Sequence, residues 1–140
     1  MLFYFILFRK FLIVKFDTHN NMSDENETKR VKSGTIHFKV INNDGSPSSM
    51  EDLIALKNVI SRQLPKMPKD YIVRLVFDRR HSSLAICRDD KVIGGITYRP
   101  YLEQRFGEIA FCAISGSEQV RGFGTLLMNQ LKHHVQKQSK

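Results

Sequence analysis

Two groups of residues in this 140-residue chain could do chemistry. The first lies in QVRGFGT, residues 119–125, directly before an amphipathic segment. Gly122 and Gly124, two apart with Thr125 behind them, accept positive φ at little cost and let other atoms approach the backbone closely. Unpaired N–H groups at a helix start, with the helix dipole behind them, make an anion site, and Arg121 adds a positive charge there. A phosphate-binding P-loop would need Gly-Lys-Ser/Thr, and a dinucleotide fingerprint would need GxGxxG; neither occurs. The competing reading is a glycine-rich strand-to-helix turn that binds nothing.

The second is Glu108 in FGEIAFCAI. On a regular strand, Glu108 shares a face with Ala110, Cys112 and Ile114, while Ile109, Phe111 and Ala113 point the other way. A carboxylate among apolar neighbours suits a general base for an amine. The competing reading is a strand-end glutamate paired with Arg105. The Glu108 strand leads through SGSE into the glycine loop, so a base and an anion cradle lie at opposite ends of one β–loop–α unit. A long phosphorylated carrier such as coenzyme A, its thioester near the base, fits that layout.

These groups need a scaffold. Ile36, Phe38 and Val40 alternate with Thr35, His37 and Lys39, the period of a half-buried strand. NNDGSPSS is a loop ending in hydroxyls that can cap a helix. Leu53, Leu56, Ile60 and Leu64 make one apolar helical face, ended by Pro65 and Pro68. YIVRLVF and SLAICRDDKVIGGITY read as β segments, with Asp89 and Asp90 turning a hairpin. GEIAFCAI is a further strand. The last helix buries Leu127, Met128, Leu131 and Val135 and turns Lys132, His133 and Lys137 to water; the His133–His134 pair reads as a solvated face. Tyr98, Arg99 and Pro100 fall in a loop before the Glu108 strand. The order β, α, strand meander, α specifies an α/β or α+β domain with a largely antiparallel sheet.

Composition narrows the partners. With 41% apolar and 26% charged residues the chain is globular, and a net charge of +8 favours an anionic partner. Cys87 and Cys112 have no CxxC or Cys/His spacing, which points to reduced thiols and away from zinc or any other metal. No basic stripe interleaved with aromatics marks a direct nucleic-acid site. Residues 1–16 are apolar but broken by Arg9 and Lys10, too short on either side to span a bilayer, which takes about 20 residues, and they lack the order of a signal peptide. They read as a non-native or mis-assigned start, or, as the weaker alternative, as a membrane-surface contact. Residues 17–32 read as a flexible polar linker, so residues 1–32 are leader and linker and the domain starts near Ser33.

QVRGFGT resembles the Gln-x-x-Arg-Gly-x-Gly pyrophosphate motif of the GNAT acetyltransferases. RQLPKMPKDYIVRLVFD, VIGGITYRP and FGEIAFCAI are similar to the PCAF-like (general-control type) histone lysine acetyltransferases within that superfamily. The resemblance implies the GNAT acyltransferase fold, a mixed, mostly antiparallel sheet flanked by helices. It implies acetyl-CoA as co-substrate, with Glu108 as general base. Cys112, Ala113 and Ile114 would lie on the strand whose backbone pairs with the pantetheine arm, the Cys112 N–H facing the thioester oxygen. Gln119, Val120, Arg121, Gly122, Phe123, Gly124 and Thr125 would form the pyrophosphate loop. The implied reaction is direct attack of a lysine amine in a ternary complex, so Cys112 is not a nucleophile. The implied partners are a histone tail or another lysine-bearing protein and a transcriptional coactivator complex, in the nucleus; KRVK at 29–32 is too short to be an import signal by itself.

The family's catalytic domain continues past the helix ending near Lys137. Residues 33–140 would therefore be the N-terminal and central part of a GNAT N-acetyltransferase domain, its C-terminal part missing and the Glu108 strand left as an exposed edge. A second reading, from another class, is an inactive remnant acting as a binding or decoy module. A nucleic-acid module has only the net charge behind it.

Overall fold

The computed structural model describes residues 12–15 and 34–138. Its elements are β1 (Leu12–Lys15), β2 (Ile36–Ile41), α1 (Pro47–Gln63), α2 (Lys69–Val76), β3 (Ser82–Arg88), β4 (Lys91–Tyr101), β5 (Phe106–Ile114), a 3-10 helix (Gly116–Arg121) and α3 (Phe123–Gln138). Five strands form one sheet in the order β1-β5-β4-β3-β2, every neighbouring pair antiparallel. The 1–11 part of the leader and the 17–32 linker fall outside the described residues.

The capping signals work as their chemistry requires. The Ser46 hydroxyl accepts a hydrogen bond from the Ser49 N–H at 3.3 Å, and Pro47 occupies the first turn of α1. Such a cap is worth about 1 kcal/mol. At the other end the Leu64 N–H reaches the Ile60 carbonyl at 2.9 Å, and Pro65 ends the helix. The β3–β4 hairpin turns at Asp89 (φ 51°), whose carboxylate accepts from the Thr35 N–H at 3.0 Å.

YIVRLVF is helix α2 rather than a strand. Its β-branched residues favour β structure locally, but Ile72 and Val76 lie four apart and are buried together on α1 and the sheet, while Val73 is exposed. Pro68 starts the helix and Asp70 sits in its first turn, both favourable at an N-terminus. Tyr98, Arg99 and Pro100 belong to β4, not to a loop.

Helices cover both faces of the sheet. On one, α1 and α2 pack Leu53, Leu56, Ile60, Ile72 and Val76 against Ala85, Cys87, Phe111 and Ala113. On the other, α3 packs Phe123, Leu127, Leu131 and Val135 against Leu84, Ile86, Ile96, Tyr98 and Ile109. Met128 is only half-buried, and Val40 at the end of β2 is exposed, the buried residue there being Ile41 on the opposite face. Gly95 lets α1 come this close: a Cβ there would stand 2.7 Å from Leu56 Cδ1 and 2.8 Å from the Leu84 carbonyl oxygen.

Two features of β5 depart from a regular edge strand. Thr97 pairs with Phe111 but Tyr98 pairs with Ile109, leaving Ala110 as an extra residue, a β-bulge. The bulge reverses the alternation. Ile109 packs in the α3 layer, whereas Ala110, Phe111 and Ala113 pack in the α1/α2 layer. Glu108 therefore does not share a face with Cys112; it lies toward the α1/α2 side, and Cys112 packs in the α3 layer. Second, β5 is not left bare. Leu12, Ile13, Val14 and Lys15 pair with Ile109, Glu108, Gly107 and Phe106. Among the described residues, Ala110–Ile114 carries no strand on that side.

Candidate active site

Glu108 stands near the start of β5, half-buried, with Arg99 as its ladder partner on β4 and Ile13 on β1. Arg105 is exposed in the turn with φ 58°, and among the described residues no ion pair joins it to Glu108. The Arg99 guanidinium carbon lies 4.9 Å from the centre of the Tyr101 ring, which stacks on Phe106 at 4.6 Å. His81 completes the group. It is buried just before β3, its Nδ1 3.7 Å from the Asp78 carboxylate. Burial lowers its pKa; Asp78 opposes this, Arg99 adds to it, and Glu108 raises it. His81, Arg99 and Glu108 thus share one electrostatic neighbourhood. Sequence patterning did not single out His81, whose signal was a titratable residue at the mouth of an apolar strand.

From Glu108 the strand runs six residues to Ile114, roughly 20 Å at the usual rise, and delivers the chain to the glycine loop. The Ser115 N–H bonds the Ile93 carbonyl at 2.7 Å, and Gly116–Arg121 winds into the 3-10 helix. Gln119 Nε2 donates to the Ile114 carbonyl at 3.1 Å and to Gln63 Oε1 at 2.7 Å, tying the loop to β5 and α1. Gly122 takes the left-handed conformation (φ 74°, ψ 15°), which a glycine adopts without penalty. α3 begins at Phe123, and the Leu126 N–H bonds back to the Gly122 carbonyl at 3.3 Å. The amides of Phe123, Gly124 and Thr125 precede that bond, as the first N–H groups of a helix do. Gly124 is helical rather than left-handed, and a Cβ at either glycine meets nothing within 4 Å. The loop therefore presents donors at a helix N-terminus beside two glycines with no neighbour where a side chain would stand, which suits close approach by a pyrophosphate. Val120 and Arg121 lie in the 3-10 helix, but their side chains are outside the described residues.

The thiols are inert. Burial pushes the Cys112 thiol up to about 11, and the Cys87 thiol also upward, so neither is a thiolate near neutral pH. His134 is half-buried, not part of a solvated face, and its pKa is lowered by that burial. Among the described residues no cluster of His, Cys, Asp or Glu could hold a metal ion, and no helix is long and apolar enough to cross a membrane.

Residues 50–140 match the model of the acetyltransferase (GNAT) family. The chain belongs to this family. It is 54% identical over 112 residues to a histone acetyltransferase GCN5 of Oryza sativa subsp. japonica, an alignment covering 80% of this chain and 22% of the rice protein. The crystal structure of Tetrahymena GCN5 superposes with a TM-score of 0.71 at 58% identity, covering 74% of this chain and 65% of that one. The catalytic domain of Tetrahymena GCN5 histone acetyltransferase in complex with coenzyme A matches with a TM-score of 0.64 at 56% identity, covering 76% and 65%. The chain thus spans less than a quarter of the length of the curated relatives it matches. Likeness to an aminoglycoside acetyltransferase from a soil sample, at 15% identity and a TM-score of 0.54, reflects the GNAT fold alone.

Proposed function

We propose that this GNAT chain binds acetyl-CoA and transfers its acetyl group to a lysine side-chain amine of a histone tail or similar protein, as part of chromatin regulation in the nucleus, within a coactivator complex. The observation that carries the reading is the αL turn at Gly122, opening α3 with no neighbour where a side chain would stand and reached directly from the strand that holds Glu108. High identity to proteins named histone acetyltransferase supports the substrate class.

Acetyl-CoA, when bound, supplies the activated acyl group as a thioester. The remaining work falls to this chain. Amides of Gly122, Phe123, Gly124 and Thr125 would hold the pyrophosphate, and the edge of Cys112–Ile114 turned away from β4 would line the path between loop and base. Glu108 would accept a proton from the lysine ammonium, leaving a neutral amine that attacks the thioester carbonyl directly; a carbon–nitrogen bond forms, the carbon–sulfur bond breaks, and coenzyme A leaves as the thiol with the second amine proton, with no covalent intermediate on Cys112. Strand pairing with β4 on one side and β1 on the other leaves Glu108 half-buried, which limits water around the base.

The deciding experiment is calorimetric titration of the full chain with acetyl-CoA, beside Gly122→Asp. The aspartate would place a side chain in the open space and a negative charge against the phosphates. Binding by the parent that the variant loses supports the reading. A folded chain that does not bind acetyl-CoA defeats it and leaves the inactive binding module.

A further inference from the structure

Arg88 is the last residue of β3, and its guanidinium reaches both flanks of the glycine turn. Its Nε and Nη2 donate to the two carboxylate oxygens of Glu118, at 3.1 and 2.7 Å. Its Cζ lies 6.0 Å from the centre of the Phe123 ring. The two side chains of the ion pair are only 15% and 12% exposed. A two-pronged, partly desolvated arginine–carboxylate pair fixes geometry better than a single contact does. Glu118 lies in the 3-10 helix before Gly122, and Phe123 opens α3 just after it. Gly122, the residue with the most backbone freedom to lose, is thus bracketed by two contacts of one side chain. Among the described residues, the hydrogen bonds of Ser115 to Ile93 and of Gln119 to Ile114 and Gln63 hold the loop upstream of Gly122.

We propose that Arg88 is a positioning residue for the phosphate-binding loop: by gripping Glu118 and packing over Phe123 it holds the Gly122 turn in the geometry that an incoming pyrophosphate requires. The proposal rests on the reading of residues 119–125 as the acetyl-CoA cradle. The pair has an electrostatic side as well. Glu118 immediately precedes the cradle, and an uncompensated carboxylate there would oppose an anion. Arg88 cancels that charge while keeping the tether.

The test compares the full chain with Arg88→Met, Arg88→Lys and Arg88→Met/Glu118→Gln. Backbone amide relaxation is measured without ligand, and acetyl-CoA affinity by calorimetry. In Arg88→Met the Gly122 and Gly124 amides should become mobile and shift, while those of Ala110–Ile114 stay rigid. Acetyl-CoA affinity should fall about tenfold, the scale of a lost charged hydrogen bond. The double variant should regain only part of the affinity, because the uncompensated carboxylate is gone while the loop stays mobile; full recovery of affinity with a mobile loop would overturn the positioning role. Arg88→Lys keeps the charge but not the fork, and should loosen the loop with a smaller loss of affinity; it also serves if Arg88→Met does not fold. Unchanged loop amides in a folded Arg88→Met or Arg88→Lys chain would overturn the proposal. A parent chain that does not bind acetyl-CoA would defeat the cofactor reading instead, while the loop amides still decide the role of Arg88.

Discussion

Arg99 and Glu108 are direct partners across the β4–β5 ladder, and Ile13 of β1 closes on Glu108 from the other side. The candidate base is thus held by backbone pairing on both flanks, so its position does not depend on its own side-chain contacts. Glu108→Gln keeps the shape and removes the proton acceptor. Turnover with a lysine peptide should fall by at least about 100-fold, the usual range for a general base, while acetyl-CoA affinity stays unchanged. Ordinary turnover by this variant would remove Glu108 from the role.

The short strand β1 gives a second expectation. Deleting residues 1–16 should speed hydrogen exchange at Phe106–Ile109 and leave Cys112–Ile114 as they were, because only the first set is paired with β1. The freed edge should also promote self-association, visible by size-exclusion chromatography. Equal exchange in the two forms would show that the β1–β5 pairing does not persist in solution.

His81 sets an acid limit on stability. Its folded pKa is depressed below the ordinary 6.5, chiefly by burial. The unfolded chain therefore takes up a proton at a pH where the folded chain does not. Stability from this residue is present above pH 6.5 and is lost as the pH falls toward the lower folded value. Thermal midpoints should decline on acidification from 6.5, and His81→Phe should flatten that part of the curve. An unchanged slope in the variant would assign the decline to other groups.

Much of this molecule was legible as pattern. The strands β3, β4 and β5 and the hydroxyl cap ahead of α1 each express a local rule, and each lies where the sequence places it. α2 was not legible, because Ile72, Val73 and Val76 favour a strand in isolation. Burial of Ile72 and Val76 against α1 and the sheet overrides that preference. The face of Glu108 was misjudged for a different reason. Alternation along FGEIAFCAI is unbroken as letters, and only the pairing with β4 reveals that Ala110 is an extra residue. Arg88 and Glu118, thirty positions apart, meet through the tertiary fold, so no local spacing announces them.

The single surplus residue at Ala110 makes β5 a strand with two phases. Before it, odd-numbered positions such as Ile109 belong to the α3 layer; after it, the odd-numbered Phe111 and Ala113 belong to the α1/α2 layer. One continuous ribbon thereby places its carboxylate and its thiol in separate compartments, so the reactive-looking Cys112 is kept apart from the base without any intervening wall. The bulge, rather than residue type, keeps the two on opposite faces across an even number of positions. Removing Ala110 would let the Tyr98–Ile109 and Thr97–Phe111 pairs follow one another in a regular ladder, with Glu108 still opposite Arg99 on the α1/α2 side; what would be lost is the local bend and twist that the surplus residue builds into the ribbon beside the base.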